Sequence, residues 1–191
     1  MEAFLVSTGV VALAEIGDKT QLLALVLAAR YRKPVPIVLG ILIATLLNHA
    51  LAGTLGAVLA RLVDPQVMRW ILGASFVAMA VWMLIPDKLE DEQQARPPRF
   101  GVFATTLVAF FLLEMGDKTQ IATIALAAKY PGLAAVVAGT TFGMMVANVP
   151  AVLLGEVAAT KLPLRIVRAV CAVVFAVIGV LVLLDGAFHF T

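Results

Sequence analysis

The sequence predicts an all-α integral membrane protein, with six transmembrane helices arranged as two inverted three-helix repeats, and three observations carry that prediction. Composition is the first: of 191 residues, 62% are hydrophobic and only 14% charged, far outside the usual range of soluble domains. The second is a series of six apolar runs, most of them longer than the ~20 residues a helix needs to cross a hydrocarbon core. The third is a duplication. Residues 13–31 laid over residues 112–130 agree at eleven of nineteen positions, and at the same offset of 99 Gly40 falls on Gly139, Gly56 on Gly155 and Arg69 on Arg168.

In chain order the runs cover residues 4–29, 35–60, 67–85, 103–128, 133–159 and 164–184. The first lacks the basic start of a secretory signal peptide and is too long for one, so a retained span is expected. None alternates with period two as a barrel strand would, and lipid then leaves the helix as the way to satisfy the backbone. Glycine and proline punctuate the runs, as is usual in membrane helices. Between the third and fourth runs, PDKLEDEQQARPPR is dense in charge and proline and reads as a solvated linker. The expected organisation is a first three-helix repeat over residues 1–85, a linker over 86–101 and a second repeat over 102–191. Three spans per repeat is an odd number, so the second repeat enters the membrane from the opposite side, an arrangement that secondary transporters use for alternating access.

Nine basic residues (Arg30, Arg32, Lys33, Lys88, Arg96, Arg99, Lys161, Arg165 and Arg168) fall on the linker's side, and three (Arg61, Arg69 and Lys129) on the other. The positive-inside rule then places the linker in the cytoplasm and both termini outside. A net charge of +2 without a basic patch argues against nucleic acid as a partner. The lipid bilayer is the expected partner, and a homo-oligomer is left open. Cys171, the single cysteine, sits in an apolar run and reads as a packing residue rather than part of a disulfide or metal framework.

The core of the duplication reads AEIGDKTQ from Ala14 and LEMGDKTQ from Leu113. Glu15 lies about 17 Å along a helix from Phe4, and Glu114 as far from Phe103, each near the middle of a ~30 Å core. Inverted repeats run these helices antiparallel, so a two-fold axis in the membrane plane can bring both acidic clusters together as one midplane site. Within each motif the acids are three apart, Glu15 with Asp18 and Glu114 with Asp117, a spacing that shares one helix face. Gln21 and Gln120 extend that face, and Thr20 and Thr119 add hydroxyls. Gly17 and Gly116 allow the helix to unwind beside the acids.

Charge at this depth costs at least ~2.5 kcal/mol per group, so these residues need partners. Four acids with Lys19 and Lys118 sum to minus two, which one divalent cation neutralises. An oxygen donor set without thiolates or paired imidazoles suits Mn²⁺, Ca²⁺ or Mg²⁺ rather than Zn²⁺ or Cu⁺. Without a cation the crowded carboxylates are expected to hold protons, which an arriving metal must displace. A purely structural alternative pairs Glu15 with Lys19 and Glu114 with Lys118 at i and i+4. It leaves Asp18 and Asp117 without partners.

Glu-x-Gly-Asp-Lys-Thr, occurring twice in a six-span chain of this length, resembles the GDT-type family of cation/proton exchangers, which includes bacterial manganese exporters and the Golgi manganese and calcium transporters. The resemblance covers nearly the whole chain. It implies that Glu15, Asp18, Glu114 and Asp117 bind the ion, that Mn²⁺ or Ca²⁺ is cargo with no resident cofactor, and that protons are the counter-substrate. It also implies a bacterial inner membrane protein that expels manganese from the cytoplasm, and not an enzyme. The residues by themselves leave two other functions open. One is export of a basic solute, because minus two also attracts an amine. The other is an intramembrane metal-dependent hydrolase, for which no serine or histidine constellation speaks.

Asn48 and His49 lie near the middle of the second run, and Asn148 falls opposite His49 in the duplicated half. The asparagines could complete a cation shell, orient a carboxylate or simply bond between helices. His49 reads as a structural donor, since its counterpart does not titrate. Met144 and Met145 read as packing, and Trp70, Trp82, Tyr31 and Tyr130 as interfacial anchors.

Overall fold

The computed structural model of the protein describes residues 1–85, 101–154 and 164–184. Most of the predicted linker, together with Gly155, Glu156, Lys161, His189 and the side chains of Arg165 and Arg168, lies outside the described residues. Among those described there are eight helices and no strand: α1 (Glu2–Glu15), α2 (Lys19–Tyr31), α3 (Pro34–Leu62), α4 (Pro65–Met83), α5 (Gly101–Glu114), α6 (Lys118–Lys129), α7 (Leu133–Leu154) and α8 (Leu164–Leu184).

The first and fourth apolar runs, expected as single spans, are each broken in two. Both breaks fall on the duplicated motif. Gly17 (φ 78°) and Gly116 (φ 77°) adopt the left-handed region that a residue without Cβ enters freely, and this stops α1 and α5 at their glutamates. The aspartate that follows then starts the next helix. Asp18 and Asp117 are extended (ψ 166° at both) and N-cap α2 and α6, the position at which a short acidic side chain best satisfies the orphan backbone donors. Elsewhere the helix starts are conventional. Asp64 caps α4, accepting from the Gln66 backbone N–H at 2.8 Å, and Pro34 and Pro65 stand in the first turns of α3 and α4.

Among the described residues three helices, α3, α4 and α7, are long and apolar enough to cross a membrane. The half-helices are not: α2, of 13 residues, is only about 20 Å long. On α3 a stripe through Val35, Leu39, Ile43, Leu47, Leu51, Leu55 and Leu62 is exposed along the whole helix. A face of this size has no place in water; in lipid it is an ordinary outer surface.

The two halves are interwoven. α1 packs along α7, and α5 along α3, so each leading half-helix lies on a long helix of the other half, while α4 and α8 pack together. Small residues set these contacts. A Cβ on Gly40 would stand 2.8 Å from Thr106 Cβ and 3.0 Å from the Phe103 carbonyl; one on Gly139 would stand 3.0 Å from Ser7 Cβ and 2.5 Å from the Phe4 carbonyl. Every residue of the first contact maps onto the second at the same offset of 99. Close approach through glycine is a standard way for helices to pack in lipid, where the solvent supplies no hydrophobic drive.

Candidate cation site

The two breaks carry the same local hydrogen bonds. Asp18 Oδ2 accepts from Thr20 N and Thr20 Oγ1, both at 3.3 Å. Asp117 Oδ2 accepts from Thr119 N at 3.4 Å, with the Thr119 hydroxyl oxygen 3.5 Å away. Each glutamine reaches back across its break: Gln21 Oε1 accepts from Gly17 N at 2.8 Å and Gln120 Oε1 from Gly116 N at 2.7 Å. Threonine and glutamine thus close the exposed backbone left by the turn, which a buried break requires. Their amide ends go further. Gln21 Nε2 donates to the Ala147 carbonyl on α7 at 3.1 Å, and Gln120 Nε2 to Asn48 Oδ1 on α3 at 3.5 Å.

All four acids are buried: Glu15, Asp18 and Asp117 are 0% exposed and Glu114 1%. The lysines pair across the motifs rather than within them. Lys19 Nζ lies 3.0 Å from Asp117 Oδ1, and Lys118 Nζ makes the matching ion pair with Asp18 Oδ1. These ion pairs run to the aspartates of the opposite motif, where the structural alternative paired each lysine with the glutamate four residues before it. The break has moved Lys19 onto a new helix axis, so four residues no longer mean one turn on the same face.

Partners of the glutamates come from the long helices. Asn148 Nδ2, on α7, donates to Glu15 Oε1 at 3.0 Å and also meets the Met144 carbonyl and sulfur at 3.1 Å. On α3, His49 Nε2 stands 3.8 Å from Glu114 Oε1, an ion pair when the ring is protonated, and the Thr119 hydroxyl donates to the same oxygen. Asn48 turns to the backbone, giving Nδ2 to the Phe111 carbonyl at 3.0 Å. Glu15 Oε2, Glu114 Oε2 and Asn148 Oδ1 are buried acceptors without a hydrogen-bond partner. Such orphans are costly in the interior, and as hard oxygens they suit a cation of the Mn²⁺ or Ca²⁺ type. Among the described residues no three His, Cys, Asp or Glu side chains converge closely enough to hold one ion; the aspartate Oδ1 atoms are turned to the ammonium groups instead.

His49, read from the sequence as a structural donor, stands beside Glu114. Position 49 maps onto Asn148 at the offset of 99, and each of the two lies next to a motif glutamate. Cys171 is buried, with its thiol 3.0 Å from the Leu13 carbonyl, as a packing residue would be.

Comparison with known proteins agrees with this duplicated arrangement. The family model described as divalent cation/proton antiporter GDT1 matches the chain over residues 3–91 and 102–189. A Vibrio cholerae protein named for manganese export is 52% identical over 176 residues, covering 92% of this chain and 87% of its own. GDT1-like protein 3 of Oryza sativa is 29% identical over 91% of this chain and 71% of its own, and a GDT1-like protein of Synechocystis is 26% identical over 94% and 96%. No solved structure matches. With both halves matched by the family model, the chain belongs to the GDT1 family of divalent cation/proton antiporters, a family of membrane transporters and not of enzymes.

Proposed function

We propose that this chain exports Mn²⁺ from the cytoplasm in exchange for protons, with Ca²⁺ as a second cargo, through one site to which both motifs contribute. The observation that carries the reading is the burial of four carboxylates from two distant motifs that reciprocal ion pairs tie together. Buried charge in a membrane segment is expensive and is retained for function. In this reading α1 with α2 and α5 with α6 each make one broken span, and with α3, α4, α7 and α8 they give six spans in two inverted repeats, residues 1–85 and 102–191. Broken helices meeting at the midplane are how several secondary transporters build an ion site. The basic residues then orient the chain in a bacterial inner membrane, linker in the cytoplasm and termini outside.

Glu15, Asp18, Glu114 and Asp117 supply the ligands. Asn148 orients Glu15, His49 and Thr119 face Glu114, and Asn48, Gln21 and Gln120 hold the surrounding backbone. Metal and protons compete for the same oxygens, so the site crosses loaded with one or the other, and exchange follows without a further coupling device. Metal binding therefore weakens as pH falls.

Mn²⁺ flux into or out of proteoliposomes with a pH dye inside tests this. An imposed pH gradient should drive Mn²⁺ against its own gradient, with opposite movement of protons; flux that moves no protons and ignores the gradient would sink the exchange mechanism. One observation favours export of a basic solute as a second reading: the aspartates already hold ammonium groups. Competition of Mn²⁺ flux by small amines in the same vesicles separates the two.

A further inference from the structure

We propose that Lys19 and Lys118 are internal counter-cations of the site, each holding the aspartate of the opposite motif when no ion is bound, and that their displacement selects divalent over monovalent ions. The proposal rests on the cation-site reading above and names the residues that set its valence selectivity. Both aspartate carboxylates are fully used. Their Oδ2 atoms cap α2 and α6 through Thr20 and Thr119, and turning them toward an ion would undo the start of a buried helix. Oδ1 is therefore the atom an ion can take, and at both positions a lysine has it: Lys118 on Asp18, and Lys19 at 3.0 Å on Asp117. Because the pairing is reciprocal, an ion bound between the motifs meets both ammonium groups. The Oε2 atoms of Glu15 and Glu114, with Asn148 Oδ1, are further buried acceptors without hydrogen-bond partners.

Valence selection follows from charge balance. Separated charge is costly in a buried site, so each aspartate keeps a positive partner, ammonium or ion. A divalent ion brings the charge of the two ammonium groups it displaces. A monovalent ion replaces one group and must then share the site with the other, or leave an aspartate unmatched. Lysine suits this role because its charge is a compact point on a flexible stem, able to swing away and return; arginine would clamp the carboxylate with a rigid fork. The two need not leave together. The Lys19 side chain is 22% exposed and Lys118 only 3%, so Lys19 has solvent beside it and leaves first.

The test uses the purified full-length chain in detergent. Mn²⁺ binding is followed by the electron paramagnetic resonance of free Mn²⁺, with and without a large excess of Na⁺ at constant ionic strength. In parallel, acylation of individual lysines by an amine-reactive reagent is read by mass spectrometry. Wild type should bind Mn²⁺ with no competition from Na⁺, and Mn²⁺ should increase acylation of Lys19 and Lys118 while leaving Lys129 unchanged. The double variant Lys19→Gln, Lys118→Gln should bind Mn²⁺ about tenfold more tightly and become sensitive to Na⁺, since an uncompensated carboxylate attracts any cation. Lys19→Arg with Lys118→Arg keeps the charge, tightens the clamp and should bind Mn²⁺ about tenfold more weakly. If Mn²⁺ leaves the acylation of both lysines in the wild type unchanged, the ammonium groups are not displaced and the proposal fails, whatever the variants do. It also fails if folded glutamine and arginine variants bind Mn²⁺ as wild type does. A wild type that binds no Mn²⁺ would instead overturn the cation-site reading, and this proposal with it.

Discussion

The two motif breaks share five identical residues in a row, Gly-Asp-Lys-Thr-Gln, preceded by one apolar position and a common glutamate before it, yet they sit in different surroundings. Locally they are near copies: the glycines differ by 1° in φ (78° and 77°), and both aspartates cap the next helix. Beyond the turn they diverge. Glu15 receives a side-chain amide from Asn148 at 3.0 Å, whereas Glu114 faces a histidine ring at 3.8 Å. Around the second break α6 packs against α1, α3, α4 and α7; around the first, α2 packs against α3, α5 and α7. The lysine of the first motif keeps 22% of its side chain exposed, that of the second 3%. Short-range sequence dictates the turn, and the long helices that contact it dictate how it differs from its twin. An exchanger needs such a difference, because a site open equally to both sides would leak.

The largest expected effect tests whether the twins form one site. Glu15→Gln, Asp18→Asn, Glu114→Gln and Asp117→Asn, made singly, should each lower Mn²⁺ transport in proteoliposomes by more than about 100-fold, since loss even of an outer-shell partner costs a metal site 10- to 100-fold. Should the variants of one motif retain substantial transport while those of the other do not, the motifs are not equal contributors and the shared site is wrong. Next come the partners that distinguish the twins. Asn148→Ala removes a hydrogen bond from Glu15, and His49→Ala removes a group too far from Glu114 to be one. Mn²⁺ affinity should fall about tenfold for the first and only a few-fold for the second. Equal losses would mean that the histidine closes on Glu114 when metal is bound.

Much of this architecture was legible in the sequence because it depends on nearest neighbours. The glycine turn, the aspartate and the offset of 99 needed only the letters, and the offset maps the contact of Gly40 with Phe103 and Thr106 onto that of Gly139 with Phe4 and Ser7. What could not be read was anything that crosses the break. The alternative Glu15–Lys19 pair assumed a continuous helix; once Gly17 turns the chain, Lys19 lies against Asp117 of the other motif. Nor does spacing along one helix reveal which long helix covers it, so the role of His49 beside Glu114 required the fold. Six runs became eight helices for the same reason: hydropathy averages over a window longer than the three residues of a break.

The packing glycines sharpen the comparison at a smaller scale. An alanine Cβ at position 139 would stand 2.5 Å from a backbone carbonyl, that of Phe4, which cannot yield without moving α1; at position 40 its nearest contact, at 2.8 Å, is the Thr106 side chain. Overpacking of this kind costs about 1–3 kcal/mol, with Gly139→Ala toward the upper end and Gly40→Ala toward the lower. Thermal unfolding in detergent should therefore show the greater loss of Tm for Gly139→Ala, and the reverse order would mean that α5, not α1, is the more rigidly held half-helix.

The smallest effect belongs to the glutamines, and it tests whether the difference between the twins reaches the turns themselves. Each glutamine oxygen accepts the N–H of its own glycine at nearly the same distance, so deleting either side chain takes the partner from the same backbone donor, which is buried at Gly17 and exposed at Gly116. The amide ends differ. Gln21 bonds the Ala147 carbonyl at 3.1 Å, while Gln120 reaches Asn48 at 3.5 Å, the outer limit of a hydrogen bond. Gln21→Ala thus loses two well-formed bonds and Gln120→Ala one such bond and a marginal one. At about 0.6 kcal/mol for an average side-chain bond between membrane helices, the first variant should be less stable than the second by roughly that amount. Equal destabilisation would show that the glutamines serve only their own turns, leaving the asymmetry to Asn148, His49 and the exposure of Lys19.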